Sequence, residues 1–423
     1  AGLDLKLILS REVAKRKITV LNHTITTSLL SESKEVYGAC GFNIRTGKFI
    51  ACSAKAVILS SGGCGRFGMP SSGYMYGTFD FPGNAGDGYS MAYRAGARMR
   101  NFEYVQHFAE TKRLNVPLGK EYDTEFDTIM VNEMGEDVKV HEGSDDDNVQ
   151  ALLSGQTMYE KFSHLPEEAI KQIEEIWFAS ERKHPIISFF RERKMDIRKD
   201  PVEVGFEEIA LCSGHGSTGI KVDTDTSTTV KGLYACGDVA CVPNQYLTGA
   251  FVYGEIAGQS AVQHAKKSNT KKIDQETIQK QAEMIFAQAE RVDGIKPNDF
   301  ELKVRTIITE YLTPPRSTEK LITALQWIKR FREEDVDCLK VEDWHELSKA
   351  VEVRFILDCA EMTARSSLKR NETRWGVSDY RSDFPERDDA NWMKFVDLEV
   401  DHKTGEMVVS TSPVKDRENT EVK

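Results

Sequence analysis

Residues 232–258 constrain the fold of this 423-residue chain more than any other stretch. An apolar strand from Leu233 to Cys236 runs into Gly237-Asp238, and a turn of small and polar residues follows. Strand, glycine, acid and helix N-terminus together present backbone N–H groups to an anionic cofactor, while the carboxylate binds a ribose or ribityl hydroxyl. The predicted helix carries small residues that allow close backbone approach, namely Gly249, Ala250, Gly254, Ala257 and Gly258.

Composition excludes several functional classes. The net charge is −11, which argues against a protein that binds nucleic acid by neutralising phosphates. No apolar run approaches the roughly 18 residues of a membrane helix, and the N-terminus lacks a signal-peptide pattern. The eight cysteines form no CxxC pair, so we expect no metal or iron–sulfur site within the chain. Scattered free thiols fit a reducing, cytoplasmic location, with membrane contact only through a partner.

The hydrophobic pattern predicts an α/β fold. Residues 56–61 form a continuous apolar run typical of a buried parallel strand. Residues 63–68 formally match GxGxxG, but Met69-Pro70 follows and breaks the helix that a dinucleotide fingerprint requires. Asp87 begins a small-residue helix, where an isolated acid is by default a helix cap and otherwise a cofactor ligand. Residues 269–370 show long amphipathic helical stretches.

Seven motifs now occur in one order along the chain, and together they resemble the fumarate reductase/succinate dehydrogenase flavoprotein superfamily. The resemblance spans some 340 residues and so covers nearly the whole chain. The motifs are AKAVILSSGGCGR (54–66), NAGDGYSMAYRAGA (84–97), NFEYVQHF (101–108), FSHLPEEAIKQIEEI (162–176), RKDPVEV (198–204), GLYACGDVA (232–240) and RSDFPERDDANW (381–392).

This resemblance implies FAD as cofactor and a Rossmann-like FAD-binding domain interrupted by an α+β capping domain. The implied FAD-binding domain comprises residues 1–105 and 206–268, and the capping domain comprises residues 106–205. A C-terminal helical domain (269–370) and an irregular tail (371–423) follow. Electrons would pass between a small-molecule substrate at the flavin N5 and a partner subunit that carries iron–sulfur clusters or another electron carrier.

The resemblance also assigns residues. Gly249-Ala250 would start a helix whose positive end faces the N1–O2 edge of the flavin. The candidates for substrate chemistry are His215, His107 and Asn244, each with a structural alternative. The implied FAD contacts are Ser60, Ser61, Gly62, Gly63, Asp87, Gly237 and Asp238.

Departures from the family pattern leave the substrate open. The chain begins roughly 130–140 residues later than the family, whose opening GxGxxG turn binds the ADP pyrophosphate. The cationic residues that clamp dicarboxylates in the family are not recognisable. The segment after Asp238 has the length typical of the adenylylsulfate reductase α subunit, but Asn244-Gln245 replaces that branch's His-Lys. An adenylylsulfate reductase-like enzyme, an inactive fragment and a degenerate electron-transfer subunit therefore remain alternatives.

Overall fold

The computed structural model describes residues 3–70, 73–78, 81–107, 109–114, 126, 129–138, 154–179, 183–212, 218–243 and 246–414. The chain divides into two compact units. The first unit is drawn from residues 1–22, 70–79 and 108–207, and the second from residues 23–69, 80–107 and 208–423.

Within these ranges most strands precede residue 206, and most of the longer helices follow it. The helices and strands up to residue 206 are α1 (Leu3–Lys15), β1 (Thr24–Glu32), β2 (Glu35–Asn43), β3 (Phe49–Ser53), β4 (Val57–Leu59), α2 (Asp87–Arg94), β5 (Met99–Arg100), β6 (Ala109–Thr111), β7 (Ile129–Asn132), β8 (Met158–Lys161), α3 (Glu167–Ala179), α4 (Lys183–Arg193) and β9 (Val202–Phe206). Those that follow are β10 (Gly219–Ile220), β11 (Leu233–Ala235), α5 (Tyr246–Lys267), α6 (Gln275–Phe286), α7 (Pro297–Leu312), α8 (Thr318–Arg330), α9 (Trp344–Lys369), α10 (Asp389–Trp392), β12 (Lys394–Val400) and β13 (Met407–Pro413).

The first unit combines a four-stranded sheet with helices. The sheet has the order β6-β9-β8-β7 and is antiparallel throughout. Every third or fourth residue of α3 is apolar, and this stripe buries Ile170, Ile173 and Trp177. They pack with Phe162 of the segment after β8 and Phe189 of α4 in a separate small core.

A meander of three antiparallel strands, β1-β2-β3, belongs to the second unit. The predicted hairpin around Arg45-Thr46-Gly47 is confirmed, since it joins β2 to β3. The side chain of Asn43 accepts hydrogen bonds of 3.0 Å from the N–H groups of Arg45 and Thr46, which is the turn chemistry typical of asparagine. Gly47 supplies the left-handed conformation at φ 70°.

The strand predicted after residue 55 is confirmed as β4, and it pairs in parallel with β11. The expectation that it is buried on both faces is wrong, because Ile58 remains 39% exposed. In the described part of the chain the parallel sheet has two strands, so the face of Ile58 is not covered there.

Residues 269–370 are helical as predicted, and they give the second unit much of its core. Asp274, Ser317 and Asp343 cap α6, α8 and α9, each accepting a hydrogen bond from a backbone N–H in the first turn. Along α9 apolar residues occur on almost every face, so the helix runs through the interior. The expected α/β class is confirmed.

Candidate functional site

Two loops leave the parallel strands side by side. β4 pairs with β11 in the register Leu59↔Ala235. The N–H of Cys236 donates to the carbonyl of Leu59 over 3.0 Å. Because both strands run in one direction, their carboxyl ends share an edge, which is where α/β folds bind ligands. The predicted cofactor residues at this edge are Ser60, Ser61, Gly62 and Gly63 after β4, and Gly237 with Asp238 after β11.

The start of α2 brings a third segment against these two loops. A Cβ atom on Gly88 would lie 2.2 Å from Ser61 Oγ and 2.7 Å from Val239 Cγ2, so only glycine lets the three segments approach this closely. The hydroxyl of Tyr89 donates a hydrogen bond of 2.8 Å to the carbonyl of Asp238. Residues that are far apart in the sequence therefore converge beside Asp87.

The glycines of this site leave backbone open to a ligand. Gly62 and Gly237 have φ angles of 77° and 72°, in the left-handed region that favours glycine. No atom of the described residues lies within 4 Å of the position that a Cβ on Gly237 would occupy. Ser61 Oγ is buried and has no hydrogen-bond partner within the described ranges. An open backbone and an unsatisfied hydroxyl fit a bound dinucleotide, which would supply the missing partner.

The predicted default role of Asp87 as a helix cap is wrong. Gly86 is the N-cap, at φ 76°, and Asp87 is the first residue of α2. Burial raises the pKa of the Asp87 carboxyl to about 6, and the nearby Glu352 also raises it, although backbone N–H groups oppose the shift. The carboxylate is therefore ionised at neutral pH and available to accept a hydrogen bond from a cofactor hydroxyl.

The helix after the second loop begins earlier than the sequence predicts. α5 starts at Tyr246, so Gly249 and Ala250 lie inside it, and a start at Gly249-Ala250 is wrong. The N–H groups of a helix that lack an intrahelical acceptor belong to its first turn, here up to Thr248. The polar end that points out of α5 is therefore set by the residues before Gly249.

His107 is the catalytic candidate that falls within the described residues, and it is almost wholly buried. Burial lowers the pKa of His107 to about 3, and the positive charge of Arg316 lowers it further, while the Val377 backbone partly opposes this. The imidazole is therefore neutral at physiological pH, so it cannot serve as a cationic acid. His215 and Asn244 lie outside the described residues.

Sequence reasoning missed Arg316, whose guanidinium is fully buried near His107. Its Nη1 donates to the carbonyl of Glu103 at 2.6 Å and to Ser367 Oγ at 2.9 Å. Its Nε donates to the carbonyl of Leu312 at 2.6 Å. These bonds bring α7 and α9 together beside His107, an arrangement that no local motif predicts.

The arginines of the C-terminal motifs have structural roles, as predicted for Arg374 and Arg381. Arg374 binds Glu372 at 2.7 Å and Asp389 at 2.8 Å. Arg381 binds Asp383 at 2.8 Å. Arg370 joins Glu372 to Glu103 through two contacts of 2.8 Å. Each of these guanidinium groups is already neutralised by a carboxylate of the chain.

The described residues provide neither a metal cluster nor a membrane span. No group of three or more histidine, cysteine, aspartate or glutamate side chains capable of holding a metal ion occurs among them. Within the same part of the chain, no helix is both long and apolar enough to cross a bilayer.

Comparison with known proteins identifies both parts of the chain. Residues 2–247 match the family model described as FAD binding domain, and residues 301–423 match the one described as fumarate reductase flavoprotein C-term. A subunit of the fumarate reductase (CoM/CoB) of Methanothermobacter marburgensis is 27% identical over 91% of this chain and 71% of its own length. The fumarate reductase flavoprotein subunit of Mycobacterium tuberculosis is 27% identical over 87% of this chain and 67% of its own.

Solved structures share the fold. Adenylylsulfate reductase from Archaeoglobus fulgidus superposes with a TM-score of 0.83 at 24% identity, covering 93% of this chain and 72% of that one. Quinol fumarate reductase of E. coli superposes with a TM-score of 0.75 at 20% identity, over 95% and 72%.

The convergent glycine loops and the acid of α2 define a dinucleotide-binding flavoprotein. The chain belongs to the FAD binding domain family, within the fumarate reductase/succinate dehydrogenase flavoprotein superfamily. It is a flavin-dependent oxidoreductase with FAD as its cofactor.

Proposed function

We propose that this chain is the flavoprotein subunit of an enzyme that moves an electron pair between a small-molecule substrate and FAD and passes electrons to a carrier partner subunit. The observation that carries this proposal is the meeting of Ser61, Gly88 and Val239 beside Asp87. When bound, FAD supplies the group that accepts or donates the electron pair. The M. marburgensis and M. tuberculosis relatives, both fumarate reductase subunits, support the reaction type.

Ser60–Gly63, Asp87 and Gly237-Asp238 are the residues that would hold FAD. Backbone N–H groups around Gly62 and Gly63 suit an anionic or electron-rich portion of the cofactor. The carboxylates of Asp87 and Asp238 suit its hydroxyls. Ser61 Oγ, unsatisfied among the described residues, gains a partner when the site is filled.

The substrate proposal follows from where positive charge is already used. Arg370, Arg374 and Arg381 bind carboxylates of the chain, and Arg316 is buried among carbonyl groups. These four do not offer a clamp for two substrate carboxylates. We therefore propose a neutral or singly charged substrate, positioned by Asn244 and His215, with His107 as a neutral hydrogen-bonding group.

Anaerobic flavin spectroscopy tests both levels of this proposal. The protein is loaded with FAD, reduced with dithionite, and mixed separately with fumarate, adenylylsulfate and an enoyl acid while absorbance near 450 nm is followed. Recovery of the oxidised spectrum with one compound identifies the substrate class. A protein that takes up no FAD would refute the cofactor site, whereas one that binds FAD but responds to no compound would favour a subunit for electron transfer alone.

A matched pair of variants tests the substrate residues. Asn244→Ala is expected to keep the FAD spectrum and to slow reoxidation by the substrate at least tenfold, since it removes a side-chain amide near the flavin-facing turn. Asn269→Ala, in the connection between α5 and α6, serves as the control. Equal reoxidation rates in the two variants would contradict the role of Asn244.

A further inference from the structure

A cavity of about 600 Å³ lies in the second unit between β1, α2, α6 and α9. This volume lies in the range of pockets that hold small organic molecules. None of the cofactor candidates in the loops after β4 and β11, or at the start of α2, lines it. The cavity is therefore distinct from the FAD site, and the proposed function leaves it unused.

One part of the cavity wall is apolar. It is built from side chains of all four elements, and several of them belong to the main core of the unit. The apolar lining consists of Leu29, Met91, Met284, Ile285, Val351 and Phe355. Met284 is 56% exposed, so a ligand that covers it would remove apolar surface from water.

Positive charge is concentrated along another part of the wall. Arg94, Arg354, Lys271 and Lys280 all line the cavity. Arg94 is well neutralised, since its Nε lies 2.7 Å from Asp358. Lys271 pairs with Glu32 and lies over the ring of Tyr37. Neither of these two cations therefore needs a further partner.

Arg354 is less well satisfied. Its Nη2 reaches Asp337 and the carbonyl of Val336 only at 3.5 Å, the long limit of a hydrogen bond. Its Nε is buried and has no hydrogen-bond partner within the described ranges. Burial lowers the pKa of Arg354, and the like charge of Arg94 lowers it further, although Asp337 and Asp358 oppose this. An added negative charge would relieve both the desolvation and the repulsion.

The acids of the cavity are otherwise engaged. Glu32 binds Lys271, and Asp274 caps α6 by accepting from the N–H of Thr277 at 2.7 Å. Lys280, which is exposed at the rim, has no ion pair among those that the structure describes. Arg354 and Lys280 therefore face the cavity with positive charge that nearby carboxylates do not fully offset.

We propose that this cavity binds an amphipathic organic anion, with its carboxylate or phosphate group at Arg354 and Lys280 and its apolar body against Met284, Ile285 and Phe355. The charged groups select the sign of the ligand, and the apolar wall selects a molecule larger than an inorganic ion. Binding at this site leaves FAD in place, because the two sites share no lining residue.

Isothermal titration of the FAD-loaded protein tests this site. Octanoate, octyl phosphate, octyltrimethylammonium and inorganic phosphate are titrated at constant ionic strength. Octanoate or octyl phosphate is expected to bind at least tenfold more tightly than the cationic and inorganic probes, and the comparison of the two octyl anions decides between carboxylate and phosphate. Equal binding of octyltrimethylammonium would overturn the charge argument, and equal binding of inorganic phosphate would overturn the apolar one.

Variants locate the site without relying on a single substitution. Lys280→Glu reverses an exposed rim charge and is expected to weaken octyl-anion binding at least fivefold, and Arg354→Gln is expected to weaken it further. Lys329→Glu on α8 is the control, because Lys329 is exposed and does not line the cavity. Unchanged affinity in both Lys280→Glu and Arg354→Gln, or loss of the 450 nm flavin absorbance on ligand binding, would overturn the proposal.

Discussion

Gly237→Ala separates the role of Gly237 in cofactor binding from its role in folding. Gly237 has φ 72°, so an alanine there costs about 1–2 kcal/mol of backbone strain. The new methyl meets no described protein atom within 4 Å, so steric conflict with those atoms adds nothing to this cost. If FAD approaches the backbone here, the methyl occupies its space, and we expect FAD affinity to fall at least tenfold, which is about 1.4 kcal/mol.

Gly405→Ala is the matched control for this experiment. Gly405 has φ 75° and likewise no described atom within 4 Å of its Cβ position, but it lies in the turn between β12 and β13. Both variants are therefore expected to lose the same ~1–2 kcal/mol of stability, measured as the free energy of unfolding in urea. FAD affinity, measured by fluorescence quenching, should fall in Gly237→Ala alone. Equal FAD affinities in the two variants would refute the placement of the cofactor at Gly237.

Three further predictions concern buried charges. Asp358→Asn is expected to cost about 3 kcal/mol in the free energy of unfolding at pH 7, because it leaves Arg94 and Arg332 without their shared carboxylate. Burial opposes ionisation of Asp358, but Arg94, Arg332 and Ser90 hold its pKa at about 2, so its contribution is present above pH 3.8 and lost as the pH falls towards 2. Glu372→Gln is expected to cost about 3 kcal/mol, since Arg370 and Arg374 both bind this carboxylate; a loss below about 1 kcal/mol would contradict the network. His107, whose pKa is about 3 in the folded protein and 6.5 unfolded, should destabilise the fold as the pH falls below 6.5, and its proton resonances should not titrate between pH 5 and 8.

The sequence predicts the elements of this fold where local pattern determines them. The turn at Arg45-Thr46-Gly47, the parallel strand after residue 55 and the helices of 269–370 follow from turn residues, apolar runs and helical periodicity. Exposure of Ile58 does not follow from them, because burial depends on what covers a sheet and not on the strand itself.

The site is predictable to the same extent. Gly62, Asp87 and Gly237 each stand out through a local motif, but their convergence depends on the parallel pairing of β4 and β11 and on the space left by Gly88. The neutral state of His107 depends on Arg316, which is 209 positions away in the numbering and carries no motif. Long-range burial and charge thus set the chemistry that local patterns cannot supply.

The buried arginine of the GCGRFG segment explains why this formal GxGxxG match does not form a dinucleotide turn. Arg66 is fully buried and binds Glu301 of α7 at 2.8 Å, and it also pairs with Glu352 of α9. Arg305 of α7 donates to the carbonyl of Gly68 at 2.6 Å. The glycines therefore let the chain pass close to the C-terminal helices instead of opening a helix of its own. Because Glu352 also raises the pKa of Asp87, these ion pairs connect the C-terminal helices to the electrostatics of the flavin site.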